Sequence, residues 1–397
     1  MKRNILTYGL TTLFAIGFAG FAYGFGMPSL PKTGSMATPV FLDSIFGGKQ
    51  PVQQEKKQHP IHSDEIFNDN NLLETHEIVP YQKVELGFSI RVPKDWTYSE
   101  NYEDRTEAEL NQKLLGNIAR FDSPRISTYQ PRLLVQALEM PHEISAVHWL
   151  RHHILVSGFT PEGEIKGASP RDASGHYIYL QDGTSMYAYV RVLINKGVIL
   201  IAKFEIPVQL KDYMEYLQHK TLETFNLIYP EDGPIESQKS FTLVDSIKIN
   251  FPASWLITDP DFRDMNRLIV NLKNRTESGT LHGFVRIVAV RRNRNTSLQL
   301  EIDELKKYFE ETMKLEFIRL ETSGKSPAYD RFLFNRYETY EVKNKQKGEA
   351  NQKLHLAILG DKEWYVTLFL LSPREDDNLY SWARNVASFE GMLQSIK

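Results

Sequence analysis

One nine-residue pattern occurs twice. Phe88-Ser-Ile-Arg-Val-Pro93-Lys-Asp-Trp96 returns as Ile247-Lys-Ile-Asn-Phe-Pro252-Ala-Ser-Trp255, 159 residues later. The far ends also correspond, Asn195-Lys-Gly197 with Asp361-Lys-Glu363 and Pro207 with Pro373, at an offset of 166. A chain that repeats an ordered series of elements in this way is a duplicated domain, and each copy is long enough to bury its own core. Both copies read as an alternating strand into Pro-x-x-Trp, a second strand, an amphipathic helix, a long hairpin and a closing helix.

The alternation is that of half-buried strands. Val84, Leu86, Phe88, Ile90 and Val92 face one way in the first copy, and Ile247, Ile249 and Phe251 in the second. Pro93 and Pro252 end these strands because proline cannot donate to a ladder, and Trp96 and Trp255 are placed to fold back over the core as structural corners. Leu133 to Leu138 and Phe284 to Val290 are the second strands. Val147, Leu150 and Ile154 mark one helix, and Ile302, Leu305, Phe309, Met313 and Phe317 its counterpart. Hairpins follow at Met186 to Phe204 and Leu354 to Leu370. Closing helices are expected over 209–226 and 376–396, and Pro230 to Ser237 links the copies. The expected fold is α+β: two tandem antiparallel sheets, each flanked by helices, over residues 77–230 and 238–397.

Ahead of the repeats, Lys2 and Arg3 precede an apolar stretch, residues 5–25. This is the order of an export signal, and the stretch is also long enough to anchor in a bilayer; residues 1–27 fit both forms. With positive charge inside, either form places the rest of the chain outside the cytoplasm, in a bacterial periplasm, with a membrane contact if the segment is uncleaved. Residues 28–76, rich in proline and glycine and without a periodic apolar face, read as a tether.

Pro-x-x-Trp after an apolar strand, then a helix, a hairpin and a final helix resemble the PsbP-like and DcrB-like α-β-α sandwich domains, once in each copy. The resemblance implies the fold and a noncatalytic, often extracytoplasmic role assisting larger complexes. It carries over only Val92, Pro93 and Trp96, with Phe251, Pro252 and Trp255, as architectural positions.

The chain has no cysteine, so disulfides, thiolate zinc sites, cysteine nucleophiles and an acylated lipobox are excluded. A formal charge of -3 gives no pull toward nucleic acid. No Gly-x-Ser-x-Gly elbow, Walker loop, His-Glu-x-x-His or dinucleotide fingerprint occurs, and no cofactor is expected. Two clusters remain. His148 and His152 stand one helical turn apart, near His142, at metal-ligand spacing, although surface histidines are the plainer reading. Arg286, Arg291, Arg292 and Arg294 could face an anion or a partner carboxylate, or simply solvent. The leading expectation is a noncatalytic accessory protein of an envelope complex, working through protein contacts of its two domains. The alternative is a periplasmic binding protein for a lipid or small apolar ligand, with Tyr177, Tyr179, Tyr187 and Tyr189 lining its pocket.

Overall fold

A computed structural model describes residues 72–100, 113–244, 247–264, 266–275, 281–293, 296–325, 332–345 and 351–396. The expected export segment and most of the tether lie outside the described residues, as does Arg294. No helix among the described residues is long and apolar enough to cross a membrane.

Each copy forms one seven-stranded antiparallel sheet, and the two have the same topology. The first contains β3 (Thr97–Glu100), β4 (Leu114–Asp122), β5 (Arg132–Glu139), β6 (Thr160–Ser169), β7 (Asp172–Gln181), β8 (Thr184–Asn195) and β9 (Val198–Pro207), in the spatial order β3-β4-β5-β9-β8-β7-β6. The second contains β13 (Trp255–Asp264), β14 (Arg267–Arg275), β15 (Leu281–Arg291), β16 (Leu315–Gly324), β17 (Phe334–Asn344), β18 (Gln352–Gly360) and β19 (Trp364–Pro373), in the order β13-β14-β15-β19-β18-β17-β16. The central hairpins turn where the repeat places them, after Asn195 and after Gly360.

The strand that carries the repeat does not join the large sheet. In the first copy β2 (Phe88–Pro93) pairs with β1 (Leu73–Ile78) and the short β10 (Asn226–Leu227); in the second, β12 (Ile247–Pro252) pairs with β11 (Gln238–Val244). Strand alternation breaks at Val84–Leu86, a 3-10 turn, so the first such strand starts at Phe88. Proline ends both strands as expected. Trp255 is fully buried in its core, while Trp96 is half-buried and packs edge-on against Phe204 at 5.1 Å.

Helices cover both faces of each sheet. In the first copy α1 (Ala146–Val156) lies over β6, β7 and β8, with Trp149, Leu150 and Ile154 buried; α2 (Lys211–Glu223) covers the opposite face together with β2. In the second copy α3 (Leu298–Lys307) and α4 (Leu379–Ser395) take these two places. Ser145 and Ser297 cap α1 and α3 by accepting the backbone N–H three residues on. The apolar stripe expected to run through Phe317 is cut short: α3 passes into a π-helical turn, Tyr308–Thr312, and Phe317 belongs to β16.

The copies are fastened to each other. Ile235 of the linker and Ala383 of α4 join the buried cluster under α1, with Tyr380 and Trp382 packed against it. His148 meets Trp382 edge-on at 5.2 Å, His152 meets Tyr380 at 5.1 Å, and Arg151 forms an ion pair with Glu375. The linker itself is pinned. Glu143 accepts the backbone N–H of Ile235 at 2.9 Å, and Glu236 accepts that of Ser254 at 2.6 Å. Burial opposes ionisation of Glu236, but His142 at 3.8 Å, the Ser254 bonds and the Arg384 charge hold its carboxyl below the usual carboxylate range.

Candidate functional site

Docking of α4 against α1 leaves a cleft of about 540 Å³ built from both copies. The first contributes His142, Trp149, His152 and His153, and the second His282, Tyr380 and Ser381. Its walls carry Trp149 and Tyr380, and its polar groups include four imidazoles beside Lys113 and Glu139. Burial lowers the pKa values of His148, His152 and His282, so these rings are neutral at neutral pH and can both donate and accept.

The histidines expected as metal ligands are near one another but turned to different partners. His148 Nδ1 lies 3.0 Å from Ser145 Oγ, His152 stacks toward Tyr380, and His142 faces Glu236. Among the described residues they form no group of three metal-capable side chains.

The cleft holds one nucleophile–base contact, His282 Nδ1 to Ser381 Oγ at 2.6 Å. Among the described residues no carboxylate bonds the other nitrogen of His282, and the charge that acts on the ring is Arg384, which lowers its basicity further after burial. Ser381 is itself buried in the first turn of α4, where its N–H bonds Asn378 Oδ1 at 3.0 Å.

Arg286, Arg291 and Arg292 are occupied within the fold. Arg286 packs 4.0 Å over the Tyr308 ring and donates to Asn271 at 3.2 Å; Arg291 lies over Trp364 and Arg292 over Tyr365, with Arg292 also donating to the Asp361 carbonyl.

A second recess, about 440 Å³, lies under α3 in the second copy, where Ile302, Phe309, Phe317, Leu356 and Ile358 make an apolar floor rimmed by Arg336 and Glu338. The tyrosines expected to line such a pocket do not gather. Cross-strand pairing of Ile178 with Tyr187 and of Tyr177 with Ala188 puts Tyr177 and Tyr179 on the α1 face, and Tyr187 and Tyr189 on the α2 face. Tyr177 stacks on Phe159 at 4.7 Å, whereas Tyr189 lies 4.4 Å from the ring of His176.

No family model matches the chain, and no curated protein matches it in sequence. The solution structure of cyanobacterial PsbP (CyanoP) from Synechocystis sp. PCC 6803 is 13% identical, with 39% of this chain and 92% of that one covered and a TM-score of 0.29. The immunity protein TplEi of a type VI secretion system from Pseudomonas aeruginosa is 12% identical over 78% of this chain and 94% of that one, with a TM-score of 0.21. A Tle4–Tli4 complex contains a chain 12% identical over 83% and 98%, also at 0.21. At these identities and TM-scores the likenesses carry no conclusion about this chain.

Proposed function

We propose that this chain is a noncatalytic extracytoplasmic protein that binds another protein through a surface its two domains make together. The observation that carries this reading is the cleft lined by both copies. Its aromatic residues inside a rim of imidazoles, Lys113 and Glu139 are the chemistry of a protein-interface centre, where buried aromatics anchor a partner inside a polar rim. The pinned linker supports it, because a joint surface needs a fixed relation between its halves. The basic-then-apolar N-terminus supports the location.

Crosslinking in intact cells, followed by fractionation and mass spectrometry, tests the reading. Recovery of a defined protein partner in the envelope fraction is expected, and recovery of the chain alone would contradict it. An effector of a type VI secretion system, the setting named for one structurally similar protein, is one partner to present to the purified chain beside the envelope complexes of its own cell. A second reading, an apolar ligand held under α3, is favoured by the floor of Ile302, Phe309 and Phe317. It predicts a retained small molecule in native mass spectrometry of gently purified protein.

A further inference from the structure

The α2 face of the first sheet carries a group of side chains that the interface reading does not use. His176 projects from β7 toward α2, where Glu215 and His219 stand four residues apart on one helical face. The Nε2 atoms of His176 and His219 are 3.1 Å apart, and one ligand atom from each of the three residues lies within 4.8 Å of the others.

We propose that His176, Glu215 and His219 bind a divalent transition-metal ion, with zinc the best match to two imidazole nitrogens and one carboxylate oxygen. Zinc holds nitrogen ligands at roughly 2.0–2.1 Å, so a tetrahedral pair of them stands about 3.3 Å apart. The observed 3.1 Å needs only a few tenths of an ångström of adjustment.

The surroundings hold the ligands in place. The His176 ring stacks between Tyr187 at 5.3 Å and Tyr189 at 4.4 Å, nearly parallel to both. Tyr189 also packs 4.2 Å from His219. The Tyr187 hydroxyl donates to Glu215 Oε1 at 2.7 Å, the outer-shell bond that commonly orients a ligating carboxylate. An independent observation lies across the ladder. Glu162 pairs directly with His176, and its Oε2 is buried without a hydrogen-bond partner while Oε1 takes the Lys211 ammonium. Glu162 is not among the three side chains whose ligand atoms gather, so it adds negative charge near His176 and leaves the fourth coordination position to water.

The test is titration of the chelator-washed full chain with Zn2+ against a chromophoric competitor, with cobalt substitution of the unmutated protein alongside. One equivalent is expected, with affinity reduced at least tenfold in H176Q and in H219Q and unchanged in H152Q. The cobalt form should show the intense visible bands of a tetrahedral site. Absence of saturable binding, binding indifferent to H176Q and H219Q, or a cobalt spectrum like that of the aquo ion would each overturn the proposal. Because the cobalt spectrum needs no variant, misfolding of either substitution leaves the test intact.

Discussion

Beneath α1, the first copy carries an ionic network where the second copy is oily. Arg132 on β5 faces Glu205 on β9, and the fully buried Glu205 also receives Lys203 at 3.4 Å and the Tyr179 hydroxyl. At the matching cross-strand position of the second copy Phe284 faces Leu371, and Phe369 stands in the place of Lys203. Around Phe369 the rings of Phe309 and Phe284 pack at 4.7 and 5.8 Å, beside the apolar recess. One topology thus tolerates opposite chemistries at the same cross-strand position, because the backbone ladder and the other face hold the fold. The outer face is left free to diverge.

The largest expected effect breaks that contrast directly. Replacing Glu205 with Gln leaves Arg132 and Lys203 without their anion, and should lower stability by about 3–5 kcal/mol in urea unfolding. Replacing Glu205 with Leu and Lys203 with Phe together, so that the first copy imitates the second, should recover much of that loss. The corner tryptophans give the next comparison. Trp255→Ala, at a site with 0% exposure, should cost about 3–5 kcal/mol, and Trp96→Ala, half-buried, clearly less.

Acid should destabilise the second copy through His355. Burial, with Lys353 nearby, lowers this histidine to about 4, against an unfolded value near 6.5. The unfolded chain then binds the extra proton first, so the contribution is whole above about pH 6.5 and is lost as pH falls toward 4. The loss expected from this residue is roughly 3 kcal/mol, and His355→Phe should remove that part of the acid sensitivity when unfolding is followed against pH. Gly283→Ala should be milder, about 1–3 kcal/mol, since a Cβ there would come within 2.6 Å of the buried Asn385 amide that ties β15 to α4. The smallest effects should be equal in the two copies: Ser145→Ala and Ser297→Ala each remove one helix cap, at about 1 kcal/mol in thermal unfolding.

Much of this architecture was legible because it is local. Pro93 and Pro252 punctuate a strand wherever they occur, and the apolar runs of β8, β9, β18 and β19 identify the sheet centres by themselves. The polar outer strands β6 and β16, mostly exposed, carry no such signal and went unseen. Phe317 looked helical because its spacing continues that of Phe309 and Met313; the π-helical turn before it interrupts the helix while leaving the sequence period intact.

Site residues were harder to read. The crowded histidines at 142–153 drew attention by proximity in sequence, yet the fold directs them to Ser145, Tyr380 and Glu236. His176 and His219 lie 43 residues apart and meet only because α2 packs on the face of β7 that His176 occupies. Their one sequence signal was the four-residue spacing of Glu215 and His219, which is common on helices without any ion. The interdomain cleft had no sequence signal, since it depends on how α4 of one copy docks on α1 of the other.

The central claim is that both copies meet the partner at this cleft. It is tested most directly by placing a photo-crosslinking residue in living cells at His152 in the first copy, at His282 in the second, and at the exposed Leu180, on the α2 face, as a control. The same partner protein should be captured from both cleft positions and not from Leu180. Capture from neither cleft position, or equally from all three, would contradict a joint binding surface.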